Sequence, residues 1–224
     1  MLVRTADNRK PATIQELGFL SASDQAVSLI EFTYRKDSEI FGEREPAEYI
    51  YQVKCGAVRS YKLLSDGRRQ IGAFHLTGDI FGLENGEQHR FTAEAIVQTT
   101  VRLIKRESLR TLAQGDVVTA RNLLSMTTNN LKHAENHMLL LGRKTALERV
   151  AAFLEEMDRR TEATTMSLPM TRRDIADYLG LSLETVSRSV SRLHRERVLN
   201  FVGQTQREII IADKQKLRSF DPEH

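Results

Sequence analysis

The sequence predicts an α+β chain: an N-terminal β-roll (residues 1–115), a long dimerisation helix (116–142) and a C-terminal winged helix-turn-helix (143–224). Three observations predict it. Short strand-like runs recur from Glu39 to about Lys105, with turn signals between them and no helix among them. Residues 117–142 then carry no proline and no internal glycine. Last, 171–197, TRRDIADYLGLSLETVSRSVSRLHRER, reads as two short helices joined by a tight turn.

Within the first part, 1–11 reads as a loose tail, and 13–20 and 23–29 as short helical turns. The strand-like runs are 49–53, 57–64, 68–76, 91–97 and 99–105. Asp66-Gly67 is a hairpin signal, and Gly56, Gly78-Asp79 and Asn85-Gly86 punctuate the rest. Strands so spaced, without intervening helices, favour a roll or barrel over a parallel sheet. A short helix over 107–114 leads into the long one.

On the long helix, Leu124, Thr127, Leu131, Ala134, Met138 and Leu141 follow at steps of 3, 4, 3, 4 and 3. That is the a/d seam of a helix packed along a partner. The partner is either the chain's own β-domain or a second copy. The narrowness of the seam and the presence of Thr127 favour the copy, and so a homodimer. A further helix over 143–160 turns Ala146, Val150, Phe153, Leu154 and Met157 inward, and 161–169 reads as a loop.

In the helix pair, Thr171 can N-cap the first helix, with Asp174 at its positive end. Gly180 ends that helix and Ser182 caps the next. Ala176, Gly180 and Val186 supply the small, turning and gap-filling residues that two steeply crossed helices need. Glu184, Ser187, Arg188, Ser191 and Arg192 occupy the face of the second helix left over from packing. This face is either a solvated charged surface or a reader of nucleic acid. Two β-rich runs, 198–202 and 207–211, flank Gly203-Gln204-Thr205-Gln206 and form a wing; 214–220 adds a helical turn.

Bulk properties narrow the function. The chain's 224 residues are enough for two modest cores, and 40% hydrophobic with 28% charged residues is ordinary for a globular protein. No apolar run approaches the ~20 residues of a membrane span and no signal-peptide core opens the chain, which predicts a cytoplasmic location without membrane attachment. The single cysteine, Cys55, excludes an internal disulfide and an all-cysteine metal or iron–sulfur site within one chain. A net charge of +3 is small, yet from Arg188 to Arg207 five arginines and His194 face only Glu196. No Ser/His/Asp set, carboxylate pair or glycine-rich phosphate loop occurs at usable spacing, so an enzyme is not expected.

The pieces together resemble the Crp/Fnr superfamily of bacterial transcription regulators, and its FixK-type branch most closely. The resemblance runs from about Phe41 onward. It is carried in the β-domain by Tyr49-x-Tyr51-x-Val53-x-x-Gly56-x-Val58-Arg59, Asp66-Gly67-Arg68-Arg69-Gln70-Ile71 and Phe74-His75-x-x-Gly78-Asp79-x-Phe81-Gly82. In the helices it is carried by Leu141-Gly142-Arg143-Lys144-Thr145-Ala146-x-Glu148-Arg149-Val150-Ala151-x-Phe153-Leu154. The motif itself adds Met170-Thr171-Arg172-Arg173-Asp174-Ile175-Ala176 and Glu184-Thr185-Val186-Ser187-Arg188. The resemblance implies a cyclic-nucleotide-binding-like jelly roll, a symmetric dimer held by the long helix, and recruitment of RNA polymerase, usually as an activator. It implies a TTGA half-site in inverted repeat, and control of genes for low-oxygen metabolism and nitrogen fixation. The family's Glu-x-x-Ser-Arg reading motif falls on Glu184, Ser187 and Arg188, and its phosphate-contacting position falls on Arg172, beside Thr171.

Residue chemistry agrees. Arg188 can bond O6 and N7 of guanine at once, and Glu184, one turn earlier, can accept from cytosine N4. Ser187 reaches the neighbouring base, and Leu183 suits a thymine methyl group. Thr171, Ser182, Thr185 and Arg192 fall near phosphates on double-stranded DNA.

The family's nucleotide pocket needs Gly-Glu and, some ten residues on, Arg-Ser. This chain has Gly82-Leu83-Glu84 and Arg90-Phe91-Thr92, which breaks both halves. His75 reads as a core histidine. His133 and His137, with Glu135 between them, read as solvated or interfacial residues rather than metal ligands. Cys55 is the one site for thiol oxidation. No cofactor or metal is expected, and the chain reads as active without a ligand; the alternative is a regulator gated by a small molecule in its β-domain.

Overall fold

A computed structural model describes residues 30–220 except Lys144, Glu162 and Gln204; the helical turns expected at 13–20 and 23–29 lie outside the described residues. The strands β1 (Ile30–Tyr34), β2 (Glu39–Phe41), β3 (Tyr49–Cys55), β4 (Ala57–Leu63), β5 (Arg69–Leu76), β6 (Ile80–Phe81), β7 (Thr92–Ala95) and β8 (Thr99–Lys105) build two four-stranded sheets. Their orders are β1-β8-β3-β6 and β2-β7-β4-β5, antiparallel throughout. Tyr51, Val53, Phe81, Val101 and Leu103 of the first sheet join Phe41, Val58 and Ala93 of the second in one buried cluster. The sheets therefore close on each other as the expected β-roll.

Turn chemistry sets the register. Leu64 N–H donates to the Arg68 carbonyl at 2.8 Å and Gly67 has φ +82°, so the β4–β5 hairpin turns through Ser65-Asp66-Gly67 with glycine in the left-handed position. Gly56, between β3 and β4, has φ +104°, and a Cβ there would lie 2.5 Å from Thr99 Oγ1 and 2.7 Å from the Gln98 carbonyl oxygen. Only glycine fits. Three strands of these two sheets escaped the sequence reading. β1 alternates apolar and polar residues as Ile-Glu-Phe-Thr-Tyr, but over only five positions and almost wholly exposed, while β2 and β6 have only three and two residues. The run expected at 91–97 is shorter, because the chain bends away after Ala95.

Helices α1 (Arg106–Gly115) and α2 (Val117–Arg143) follow. Asp116 caps α2 by accepting from the Val118 and Thr119 amides and the Thr119 hydroxyl. Ile50, Ile80, Ile104, Leu109 and Met126 form a second cluster, with Leu123 against it, so α1 and α2 cover the outer face of the first sheet. The stripe of α2 that packs on the β-domain is distinct from the a/d seam. Leu123 and Met126 pack on the chain's own β-domain, and Thr119 and Asn130, on the same stripe of the helix, are buried. One residue round, Leu124 (68% exposed), Leu131 (58%) and Met138 (66%) stand in the open.

His75 is a core histidine as expected, bonded to Ser60 Oγ at 2.8 Å and stacked on Phe81. Cys55 is exposed at the end of β3. The chain divides into two compact units between Glu135 and Asn136, inside α2.

The second unit holds α3 (Ala146–Thr161), β9 (Met166–Ser167), α4 (Arg172–Leu179), α5 (Leu183–Arg195), β10 (Leu199–Val202), β11 (Glu208–Ile211) and α6 (Lys214–Ser219). α3 begins at Ala146 rather than Arg143. Thr145 and Glu148 form a reciprocal cap there, Thr145 N–H to Glu148 Oε2 at 2.6 Å and Glu148 N–H to Thr145 Oγ1 at 3.4 Å. The loop expected over 161–169 contains β9, which pairs with β11 to make a three-stranded sheet, order β10-β11-β9. The β10–β11 hairpin is the expected wing.

Candidate nucleic-acid interface

Local chemistry builds the motif. Thr171 Oγ1 accepts from Asp174 N–H at 3.1 Å, while Asp174 Oδ2 accepts from Thr171 N–H at 2.9 Å, a capping box that starts α4. Gly180 ends it at φ +62°, ψ +39°. Ser182 Oγ accepts from Thr185 N–H at 3.2 Å and starts α5. Val186, Val190 and Leu193 are buried against the rest of the unit together with Ile175, Ala176 and Leu179. That packing fixes which side of α5 remains.

The side that remains is the one the sequence singled out. Glu184, Arg188, Ser191 and Arg192 are exposed, and Leu183, Thr185 and Ser187 are half-buried on the same helix. The helix's own N-terminal amide, then the Ser182 hydroxyl, then Arg173 and Arg188 hold the Glu184 carboxyl below its usual range. Glu184 is therefore ionised at neutral pH and can only accept hydrogen bonds, as a contact to an amino group requires.

The expected phosphate contacts differ in what they have free. Thr171 gives its amide to Asp174 and its hydroxyl proton to the same carboxylate at 2.7 Å, so both its donors are spent on the cap. Ser182 and Thr185 hydroxyls lie 3.0 Å apart, and one donates to the other. Arg172 lies over the Phe201 ring, 5.9 Å from its centroid, and partial burial lowers its pKa from the ordinary arginine value. That stacking aims the guanidinium without consuming its N–H groups. Arg192 Nε is bonded to Glu196 Oε1 at 2.8 Å, an exposed i,i+4 pair that a phosphate can displace cheaply.

Two features went unread in the sequence. Arg173 is exposed beside Glu184 and adds to its field. The His137 ring stacks on Tyr178 with centroids 4.2 Å apart, so His137 packs on α4 rather than facing solvent. A histidine off the a/d steps of its helix gives no signal of this. Among the described residues no group of three His, Cys, Asp or Glu side chains is placed to hold a metal, and no helix is long and apolar enough to cross a membrane.

A β-roll, a long helix with an open apolar seam, and a winged helix-turn-helix with a basic reading face define a DNA-binding transcription regulator. Comparison with known proteins agrees. Residues 31–116 match the cyclic nucleotide-binding domain family and residues 148–220 the Crp-like helix-turn-helix domain family. The nitrogen fixation regulation protein FixK of Rhizobium meliloti is 40% identical over 96% of this chain and 97% of its own. The structure of FixK2 from Bradyrhizobium japonicum superposes with a TM-score of 0.83 at 64% identity, covering 87% of this chain and 98% of that one. A CooA mutant from Carboxydothermus hydrogenoformans shares the fold alone, with a TM-score of 0.77 at 22% identity over 97% of both chains. The chain belongs to the Crp/Fnr family of transcription regulators, in its FixK branch, and its relatives are regulators rather than enzymes.

Proposed function

We propose that the chain acts as a cytoplasmic homodimer that activates transcription by recruiting RNA polymerase at promoters carrying a TTGA inverted repeat, without a bound effector. The observation that carries this is the placement of ionised Glu184 and, one turn later, Arg188 on the open face of a capped, well-packed helix. Arg188 takes the guanine of TTGA and Glu184 the cytosine opposite, so one G·C pair is read from both strands. Leu183 and Ser187 take the flanking bases, and Arg172, Ser182, Thr185 and Arg192 hold the backbone. The uncovered seam on α2 supplies the surface for a second copy.

Effector independence draws support from the segment a ligand would have to engage. Arg106 donates to the carbonyls of Ala47, Glu84 and Gly86, and the Arg90 amide donates to Glu84 Oε1 at 3.2 Å. The chain's own groups thus tie this loop. Control of nitrogen-fixation genes follows the name of the FixK relatives, and control of low-oxygen metabolism follows the family resemblance.

Purified protein titrated at physiological salt, without additives, on a TTGA inverted repeat and on a scrambled duplex tests the reading. We expect roughly a 10³-fold preference or more for the repeat. Equal affinity for both would overturn sequence reading, and a preference appearing only after a cell extract's small molecules are added would overturn effector independence.

A further inference from the structure

Arg149 lies one turn into α3, placed there by the Thr145–Glu148 cap, with its amide bonded to the Thr145 carbonyl at 2.9 Å. Its guanidinium faces two helix ends. Nη2 donates to the Leu141 carbonyl in the last turn of α2 at 2.8 Å, and Nη1 donates to the Leu179 carbonyl at the end of α4 at 2.9 Å. Carbonyls in a helix's last turn have no partner within the helix and carry the negative end of its dipole. A planar cation with several fixed donors is the side chain suited to bridge two of them.

The positions of the two acceptors matter. Leu179 is the residue before Gly180, the turn that feeds the reading helix α5. Leu141 belongs to the apolar seam of α2, one turn beyond exposed Met138. A turn earlier on α2, the His137 ring stacks on Tyr178, which also meets Phe153. The last turns of α2 therefore grip α4 twice, once through an aromatic stack and once through Arg149. All of these residues lie within the second unit. Arg149 itself is on α3, off the Glu184–Arg188 face.

We propose that Arg149 is a positioning residue for DNA recognition: by bridging the Leu141 and Leu179 carbonyls it fixes the angle at which the seam-bearing end of α2 carries the reading helix, and so sets the half-site spacing that a dimer accepts. This rests on the dimeric, inverted-repeat reading above. It separates two specificities. Identity of the base belongs to Arg188 and Glu184; distance between half-sites belongs to the Arg149 bridge.

Fluorescence anisotropy on the full chain tests it with three duplexes: the TTGA inverted repeat at its best spacer, the same repeat with one base pair added, and the best spacer with the guanine position changed. The added pair turns one half-site by about a tenth of a helical turn. Wild type should discriminate against both altered duplexes. In R149A the spacing discrimination should fall about tenfold while the base discrimination stays within about twofold, with dimeric mass and circular dichroism unchanged. R149K keeps the charge and chain length but has a single donor head, so it should lose part of the spacing discrimination. It carries the test if R149A does not fold.

A folded, dimeric variant that keeps the spacing ratio overturns the inference alone. So does one in which spacing and base ratios fall together, since that is a structural lesion of the whole motif. A wild-type protein indifferent to spacing overturns the dimeric reading and the inference with it.

Discussion

Arg188 and Thr171 show how far a side chain's role depends on what it already holds. Arg188 is exposed on the side of α5 that packing leaves open, as the proposed guanine contact requires. We expect Arg188→Ala to cost ~1–3 kcal/mol of operator affinity and to relax preference at one base position of each half-site. A binding titration across a set of single-base operator variants checks this; uniform weakening on every sequence would mean that Arg188 contacts phosphate instead. Thr171 sits as close to the motif in sequence, but both its donors are committed to Asp174. The sequence suggests both a helix cap and a phosphate contact for Thr171, and its hydrogen bonds commit both donors to the cap. Arg172 is the converse case. Its stacking on Phe201 comes from a strand some thirty positions on, which no local pattern announces.

At the scale of elements, caps and turns made the chain readable. Gly180, Ser182 and Asp66-Gly67 each fell where a helix end, a helix start or a hairpin was expected, because each answers a backbone demand that few other residues meet. Asp116 makes the same kind of contact at the start of α2, and hydrogen bonds from the Thr119 hydroxyl, then the Thr119 and Val118 amides, hold its carboxyl below the ordinary 3.8. A group whose pKa is lowered by folding contributes stability above its unfolded pKa and loses that contribution as pH falls through the folded one. Asp116→Asn keeps a competent N-cap without the titration. The melting temperature of wild type relative to Asp116→Asn should therefore drop as pH is taken from 6 down through the lowered value; a difference that stays constant through the acid range would show that the carboxylate's charge adds nothing to the cap. What stayed illegible at this scale has physical causes. β2 and β6 are too short to show alternation, and β9 hides in a Thr- and Ser-containing segment whose strand character comes only from pairing with β11. The seam of α2 was legible by its steps of three and four. Its neighbouring inward stripe was not, because Thr119 and Asn130 are polar residues that tertiary packing buries.

For the whole molecule, the open seam is the feature the single chain leaves without a physical account. Leu124, Leu131 and Met138 hold their apolar side chains in solvent along one helix, although Met126 and Leu123 on the next stripe find cover. Exposed apolar area costs about 25 cal/mol per Å², so a contiguous row of this kind is stable in water chiefly when a partner covers it. A second copy is the partner that fits, because a two-fold axis along the helix matches each seam residue with its own counterpart and covers both rows at once. The same symmetry makes the seam sensitive to charge. Leu131→Glu would set two carboxylates against each other along an apolar seam, where both lose water. We expect this variant to run as a 25.6 kDa monomer by light scattering, to keep the circular dichroism of the folded chain, and to lose the preference for an inverted repeat over a single half-site. Leu131→Ile, which keeps the seam apolar, should remain dimeric and bind the repeat. If Leu131→Glu stays dimeric, the second copy does not pair through this seam, and the geometry by which two reading helices reach successive major grooves must be set elsewhere.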